Sequence, residues 1–312
     1  MPQLIGKIGL VGVGAVGGFY GLMLDQGGED IHFHLRSNFK KVKEEGFSLV
    51  HHLPEWKEEE IKNVRVYNDT SAIGICDWII IASKATANDQ IIDLIKPMVG
   101  NKTSFLTLQN GLGNVENISD AFGGKRDILG GLCFTCINRT GVNRIESLLP
   151  GYVQFGQYGG LLSDKGSRLV DAFDRIGIKV QRAESLDEAL WRKLCWNVPF
   201  NGLSIVGGGI TTDLILSNVV LRKRAQQLMI EIQAGAQAYG ILIEDRFLDK
   251  QFQLTEAMGP YKPSSLIDYL AGKPVEVEAI FGEALNRGQR KGVQMKELSK
   301  LYHKLLELTQ NL

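Results

Sequence analysis

The chain is poor in cysteine, with four among 312 residues: Cys76, Cys133, Cys136 and Cys195. That number and scatter exclude a disulfide framework. Cys133 and Cys136 have a metal-like spacing, but no second C-x-x-C or C-x-x-H accompanies them. They fall within the apolar run Ile128–Ile137, which reads as a strand, so buried free thiols are expected. The five histidines, His32, His34, His51, His52 and His303, form no metal signature, and no metal is expected. His32 and His34 alternate on one strand face, which points to packing. Charge of one sign is also missing: Lys+Arg and Asp+Glu balance at 35 each. This removes any global electrostatic argument for nucleic acid or an anionic membrane. No apolar run approaches the roughly 18–20 residues of a spanning helix. The N-terminus enters a strand directly, without a signal-peptide pattern, so a cytoplasmic protein is expected. There is no internal repeat and no Pro- or Ser-rich linker, so any domains should be packed rather than tethered.

Glycine is abundant, with a dense cluster near the N-terminus. Lys7–Val11 reads as a buried parallel strand. It ends in Gly12-Val13-Gly14-Ala15-Val16-Gly17, a G-x-G-x-x-G, and passes into the apolar segment Phe19–Leu24, which suits a packed helix. In such a turn Gly12 allows the tight bend, Gly14 lets backbone approach a pyrophosphate, and Gly17 lets the helix pack close. The helix N-terminus then offers N–H groups and a positive dipole end to the phosphates. The competing reading is a strand-to-helix turn with no ligand. The next strand, Asp30–Leu35, is followed by Arg36 and Ser37, where sites for the non-phosphorylated dinucleotide carry an acid that bonds the ribose 2′-OH. The planar fork of Arg36 suits a 2′-phosphate, so NADPH is favoured over NADH. Lys84 closes the buried run Asp77–Ser83, at the strand end where ligands of open parallel sheets gather. Asn110 follows the strand Thr103–Leu108 in a Gln-Asn-Gly-Leu-Gly turn, and on its own reads as a turn former.

Alternating strands and helices as far as Lys179–Gln181 predict an α/β, Rossmann-type doubly wound sheet over residues 1–183. Residues 184–312 carry helical periodicity and predict an all-helical C-terminal domain, apolar enough to support a homodimer. Within the first domain, the charged stretch Glu55–Lys62 reads as a solvated loop or helix face. Ser185-Leu186-Asp187-Glu188 is a capping-box start for a long helix. Along it Lys193, Asn197 and Asn201 recur every four residues and share one stripe, amid the apolar Leu190, Trp191, Leu194, Trp196, Val198 and Phe200. Buried lysine and asparagine need partners or a wet cavity. The stripe therefore reads as a substrate pocket or as a satisfied structural network. Pro199 should kink this helix. Glu276 and Glu278, after Ser264–Asp268, look like a charged turn entering a helix.

With GVGAVG at Gly12–Gly17, LRS around Arg36, ASK ending at Lys84, QNGLG around Asn110, LWRKLCWNVPFN at Leu190–Asn201 and SSLIDYLAGKPVEVE at Ser264–Glu278, the chain resembles the ketopantoate reductase (2-dehydropantoate 2-reductase) family over nearly its whole length. The resemblance implies NADPH-dependent reduction of ketopantoate, a small 2-oxo acid, to pantoate, as in pantothenate synthesis. It implies Lys193 as general acid at the ketone oxygen, Glu276 holding the substrate hydroxyl, Asn197 and Asn201 lining the substrate site and Ser265 binding its carboxylate. Lys84 and Asn110 would sit at the nicotinamide and ribose end, and Arg36 at the 2′-phosphate. The sequence departs from the family pattern at Val275, where many members carry a polar residue, and in Gly292–Lys296, which lacks the usual prolines. Trp196 and Phe200 are bulky neighbours of the asparagines. The alternatives are a dehydrogenase for another small 2-oxo or hydroxy acid, and an NADPH-binding sensor without turnover.

Overall fold

The structure, a computed structural model, describes residues 4–123, 126–310 and 312. It comprises two compact units: Met1–Gln109 with Asn114–Leu186, and Asn110–Gly113 with Asp187–Leu312.

The first unit is built on one mixed sheet. Its strands are β1 (Lys7–Val11), β2 (Asp30–His34), β3 (Phe47–His51), β4 (Lys57–Ile61), β5 (Val66–Tyr67), β6 (Cys76–Ile81), β7 (Val99–Thr107), β8 (Ile128–Arg139), β9 (Arg144–Gln157) and β10 (Val180–Arg182). Their spatial order is β4-β3-β9-β8-β7-β6-β1-β2-β5, with β10 beside β9. The order reverses direction beside β1, where open α/β sheets bind their ligands. β1, β2, β5, β6, β7 and β8 pair in parallel, and their central members are almost wholly apolar. Ile8, Leu10, Trp78, Ile79 and Ile80 are all fully buried, as expected of strands covered on both faces.

Two features differ from the expectation of a purely doubly wound sheet. β8 and β9 form a long antiparallel pair, whose return strand runs from Arg144 to Gln157. The charged stretch Glu55–Lys62 is neither a loop nor a helix face, because β4 lies antiparallel to β3. Glu58 is satisfied across the sheet. Ser48 Oγ donates to Glu58 at 2.8 Å, and Arg144 on β9 pairs with the same carboxylate. A charged edge strand also discourages edge-to-edge aggregation.

The second unit is helical: Leu186–Val206, Thr212–Ser217, Val219–Gln237, Asp245–Met258, Ser264–Leu270, Glu283–Arg290 and Lys296–Thr309. One π-helical turn, Glu278–Gly282, precedes Glu283. The helix Leu186–Val206 is continuous, with Pro199 inside it. The expected kink does not interrupt it, because Val198, Pro199 and Phe200 are all buried and packing outweighs the lost hydrogen bond. All four cysteines are free thiols, two buried (Cys76, Cys195) and two half-buried (Cys133, Cys136). Burial pushes the Cys76 thiol up to about 11 and that of Cys195 to about 12, so neither supplies a thiolate near neutrality.

Glu231, 5% exposed, projects from the helix Val219–Gln237 and caps the last helix. Its carboxylate accepts the backbone N–H groups of Glu297 at 3.0 Å and Leu298 at 2.8 Å. These are amides the helix cannot satisfy internally. Glu231→Ala should therefore cost about 2–3 kcal/mol, read as a lowered urea midpoint with unchanged slope.

Candidate active site

The glycine loop joins β1 to the helix Ala15–Gln26. Gly12 has φ +91°, and a β-carbon there would lie 2.1 Å from the Ser83 backbone nitrogen. The loop is thus pressed on the end of β6 at a place only glycine fits. A β-carbon at Gly17 would meet the Gly12 carbonyl at 2.3 Å, whereas Gly14 has nothing within 4 Å. The loop is closed on its protein side and open at Gly14. No side chain caps the helix, whose N-cap is Gly14. The first helical bond is Gly18 N–H to the Gly14 carbonyl at 3.1 Å, so the amides of Ala15, Val16 and Gly17 are available to an anion. Val13 is buried, and Ala15 and Val16 are half-buried. These features fit a dinucleotide's pyrophosphate.

Arg36 lies two residues past β2 and is exposed. It makes no hydrogen bond or ion pair with any described residue. His34, at the end of β2, is buried, and that burial holds its pKa below the usual imidazole value. Lys84 is also exposed, three residues past β6 and immediately before the short 3₁₀ turn Ala85–Ala87.

The remaining predicted residues belong to the second unit. Lys193 Nζ donates to Asn110 Oδ1 at 2.9 Å, so a lysine and an asparagine 83 positions apart form one constellation. Asn197 and Asn201 follow on the same helical stripe and are buried. Asn201 Oδ1 accepts the Ser265 backbone N–H at 2.9 Å, at the start of the helix Ser264–Leu270. Its carbonyl oxygen therefore holds that helix start in place, which is the structural-network role at this position of the stripe. Ser265 and Glu276 are both buried. Among the bulky neighbours, Phe200 is fully buried against Trp196 and Phe252. Trp196 Nε1 donates to Thr255 Oγ1 at 2.9 Å. Val275 is likewise part of the helical unit's core.

The turn that carries Asn110 is held from an unforeseen direction. Gly111 has φ +87°, and a β-carbon there would lie 2.2 Å from the Ala279 carbonyl oxygen. The same carbonyl, in the π-helical turn, accepts the Leu112 N–H at 2.9 Å. π-turns recur at functional sites. A backbone carbonyl leaves no mark in the residue pattern, so only Gly111 itself could have hinted at this contact. Among the described residues no group of three or more His, Cys, Asp or Glu could hold a metal ion. No helix there is long and apolar enough to cross a membrane.

The open glycine loop of the Rossmann-type unit and the lysine–asparagine pair of the helical unit fit the class of dinucleotide-dependent oxidoreductases. Comparison with known proteins narrows it. Residues 8–160 match the family model "Ketopantoate reductase PanE/ApbA" and residues 185–309 its C-terminal counterpart. The chain belongs to the ketopantoate reductase family. It is 37% identical over 306 residues to a 2-dehydropantoate 2-reductase of Nostoc sp., covering 96% of this chain and 94% of that one. A crystal structure of 2-dehydropantoate 2-reductase from Geobacter metallireducens is similar at TM-score 0.91 and 35% identity, covering 97% and 99% of the two chains. A D-mandelate dehydrogenase solved with NADH and anilino(oxo)acetate shares the fold at TM-score 0.86 and 20% identity, over 97% and 98% of the chains.

Proposed function

We propose that the protein reduces 2-dehydropantoate to pantoate with NADPH, with Lys193 as the general acid. The observation that carries this reading is the hydrogen bond from Lys193 to Asn110, which orients an ammonium on a helix whose other stripe positions are Asn197 and Asn201. The Gly12–Gly17 loop and the helix N-terminus behind it would hold the pyrophosphate. Arg36 would pair the 2′-phosphate, and Lys84 and Asn110 would lie at the nicotinamide and ribose end. When bound, the reduced nicotinamide supplies the hydride. As negative charge grows on the ketone oxygen, Lys193 stabilises it and delivers a proton there, completing the alcohol. Ser265 would hold the substrate carboxylate, Glu276 its hydroxyl, and Asn197 and Asn201 would line the site.

The test follows NADPH absorbance on addition of ketopantoate, with NADH in parallel. Rapid oxidation of NADPH, with NADH much poorer, is expected. NADPH binding without oxidation would discard ketopantoate and turn the assay to other 2-oxo acids. Arg36→Ala should weaken NADPH binding by about 10–100-fold, the loss of charged hydrogen bonds, and leave NADH unchanged. An equal loss for both cofactors would remove Arg36 from the 2′-phosphate.

A further inference from the structure

β8 ends at Arg139, whose side chain reaches the glycine loop 126 positions away. Nη1 donates to the Val13 carbonyl at 2.5 Å, Nε to the Gly141 carbonyl at 3.3 Å, and Nη2 to the Val142 carbonyl. Every acceptor is a backbone carbonyl, and no carboxylate among the described residues pairs with this guanidinium. It is half-buried, and burial alone lowers its pKa from the usual arginine value, though a guanidinium stays protonated regardless.

Its neighbourhood makes this arrangement unusual. The peptide joining Val13 to Gly14 is held at both ends, its carbonyl by Arg139 and its N–H by the Gly12 carbonyl at 2.7 Å. Immediately beyond lies the uncapped start of the helix Ala15–Gln26, the positive end of that helix's dipole. A half-buried cation beside a positive dipole end, with no acid among the described residues paired to it, is electrostatically unfavourable until an anion arrives.

We propose that Arg139 is a positioning residue for the cofactor's pyrophosphate, acting through Val13 by locking the loop peptide and adding uncompensated positive charge behind it. This rests on the reading of the loop as a dinucleotide site. It differs in kind from the role given to Arg36. The pyrophosphate is common to NADPH and NADH, so Arg139 should matter equally to both.

The test is calorimetric titration of the wild type, Arg139→Met and Arg139→Lys with NADPH and, separately, with NADH. Arg139→Met should weaken both cofactors by a similar factor, about 10–100-fold. Arg139→Lys, a single ammonium that cannot reproduce the fork, should weaken both by a smaller common factor. The melting temperature without cofactor should stay within a few degrees of wild type, while the rise on adding saturating NADPH shrinks. If the Met variant does not fold, the Lys variant decides. Unchanged affinities would overturn the proposal, as would a loss confined to NADPH, which would place Arg139 at the 2′-phosphate. A wild type that binds neither cofactor would instead remove the dinucleotide reading, and this proposal with it.

Discussion

Lys193→Ala is expected to lower kcat on ketopantoate by about 10²–10⁴-fold, the usual worth of a positioned general acid. Hydride delivery to a ketone carbon leaves charge on oxygen, and Lys193 is oriented by its 2.9 Å bond to Asn110. In the proposed role, removing the ammonium takes away both the charge that would stabilise that oxygen and the proton that would end the reaction. Lys193→Arg should rescue little, because a guanidinium keeps the charge but scarcely releases a proton. Cofactor affinity should change little in either variant, since the proposed partner of Lys193 is the substrate's ketone oxygen and not the cofactor. Steady-state kinetics at saturating NADPH, with cofactor titration alongside, checks both expectations. An undiminished kcat in the alanine variant would end the proposed role.

The second large effect is expected at a residue that carries no functional group. In Gly111→Ala the new β-carbon would meet the Ala279 carbonyl oxygen at 2.2 Å and its carbon at 2.4 Å, at a φ of +87°. The left-handed backbone alone costs about 1–2 kcal/mol for an L-residue. The collision must also displace either the turn or the π-helical segment that follows Glu276. The bond from Leu112 N–H to Ala279 would then be strained, and Asn110 drawn away from Lys193. Misplacement on the scale of an ångström costs on the order of 10²-fold in rate, so kcat should fall by about that factor, with a lowered melting temperature. Gly113→Ala is the internal control. It has the same φ of +87°, but a β-carbon there meets only Glu283 Cγ at 3.8 Å. It should show the backbone cost without the loss of rate. Equal kcat losses in the two variants would show that backbone strain, rather than the contact with Ala279, governs the turn.

How far this was legible in the sequence differs by level. The apolar runs at Lys7–Val11 and Asp77–Ser83 marked central parallel strands, because burial on both faces admits few polar residues. β4 was not legible. Its lysine and acids resemble a solvated segment, and the partners of Glu58, Ser48 and Arg144, are supplied by other strands. The four-residue spacing of Lys193, Asn197 and Asn201 put them on one stripe without any structure. It did not say that Asn201 would hold the start of another helix through Ser265.

By itself, then, the sequence determined the glycine loop between strand and helix, the helical second half, and the stripe of lysine and asparagines. Each depends on interactions between near neighbours in the chain, where spacing is geometry. Tertiary structure alone decided that Asn110 meets Lys193, that the Ala279 carbonyl pins the turn at Gly111, and that Arg139 grips Val13. Those contacts join residues 83 to 168 positions apart, and two of them end on a backbone carbonyl, which every residue possesses and no residue pattern can distinguish.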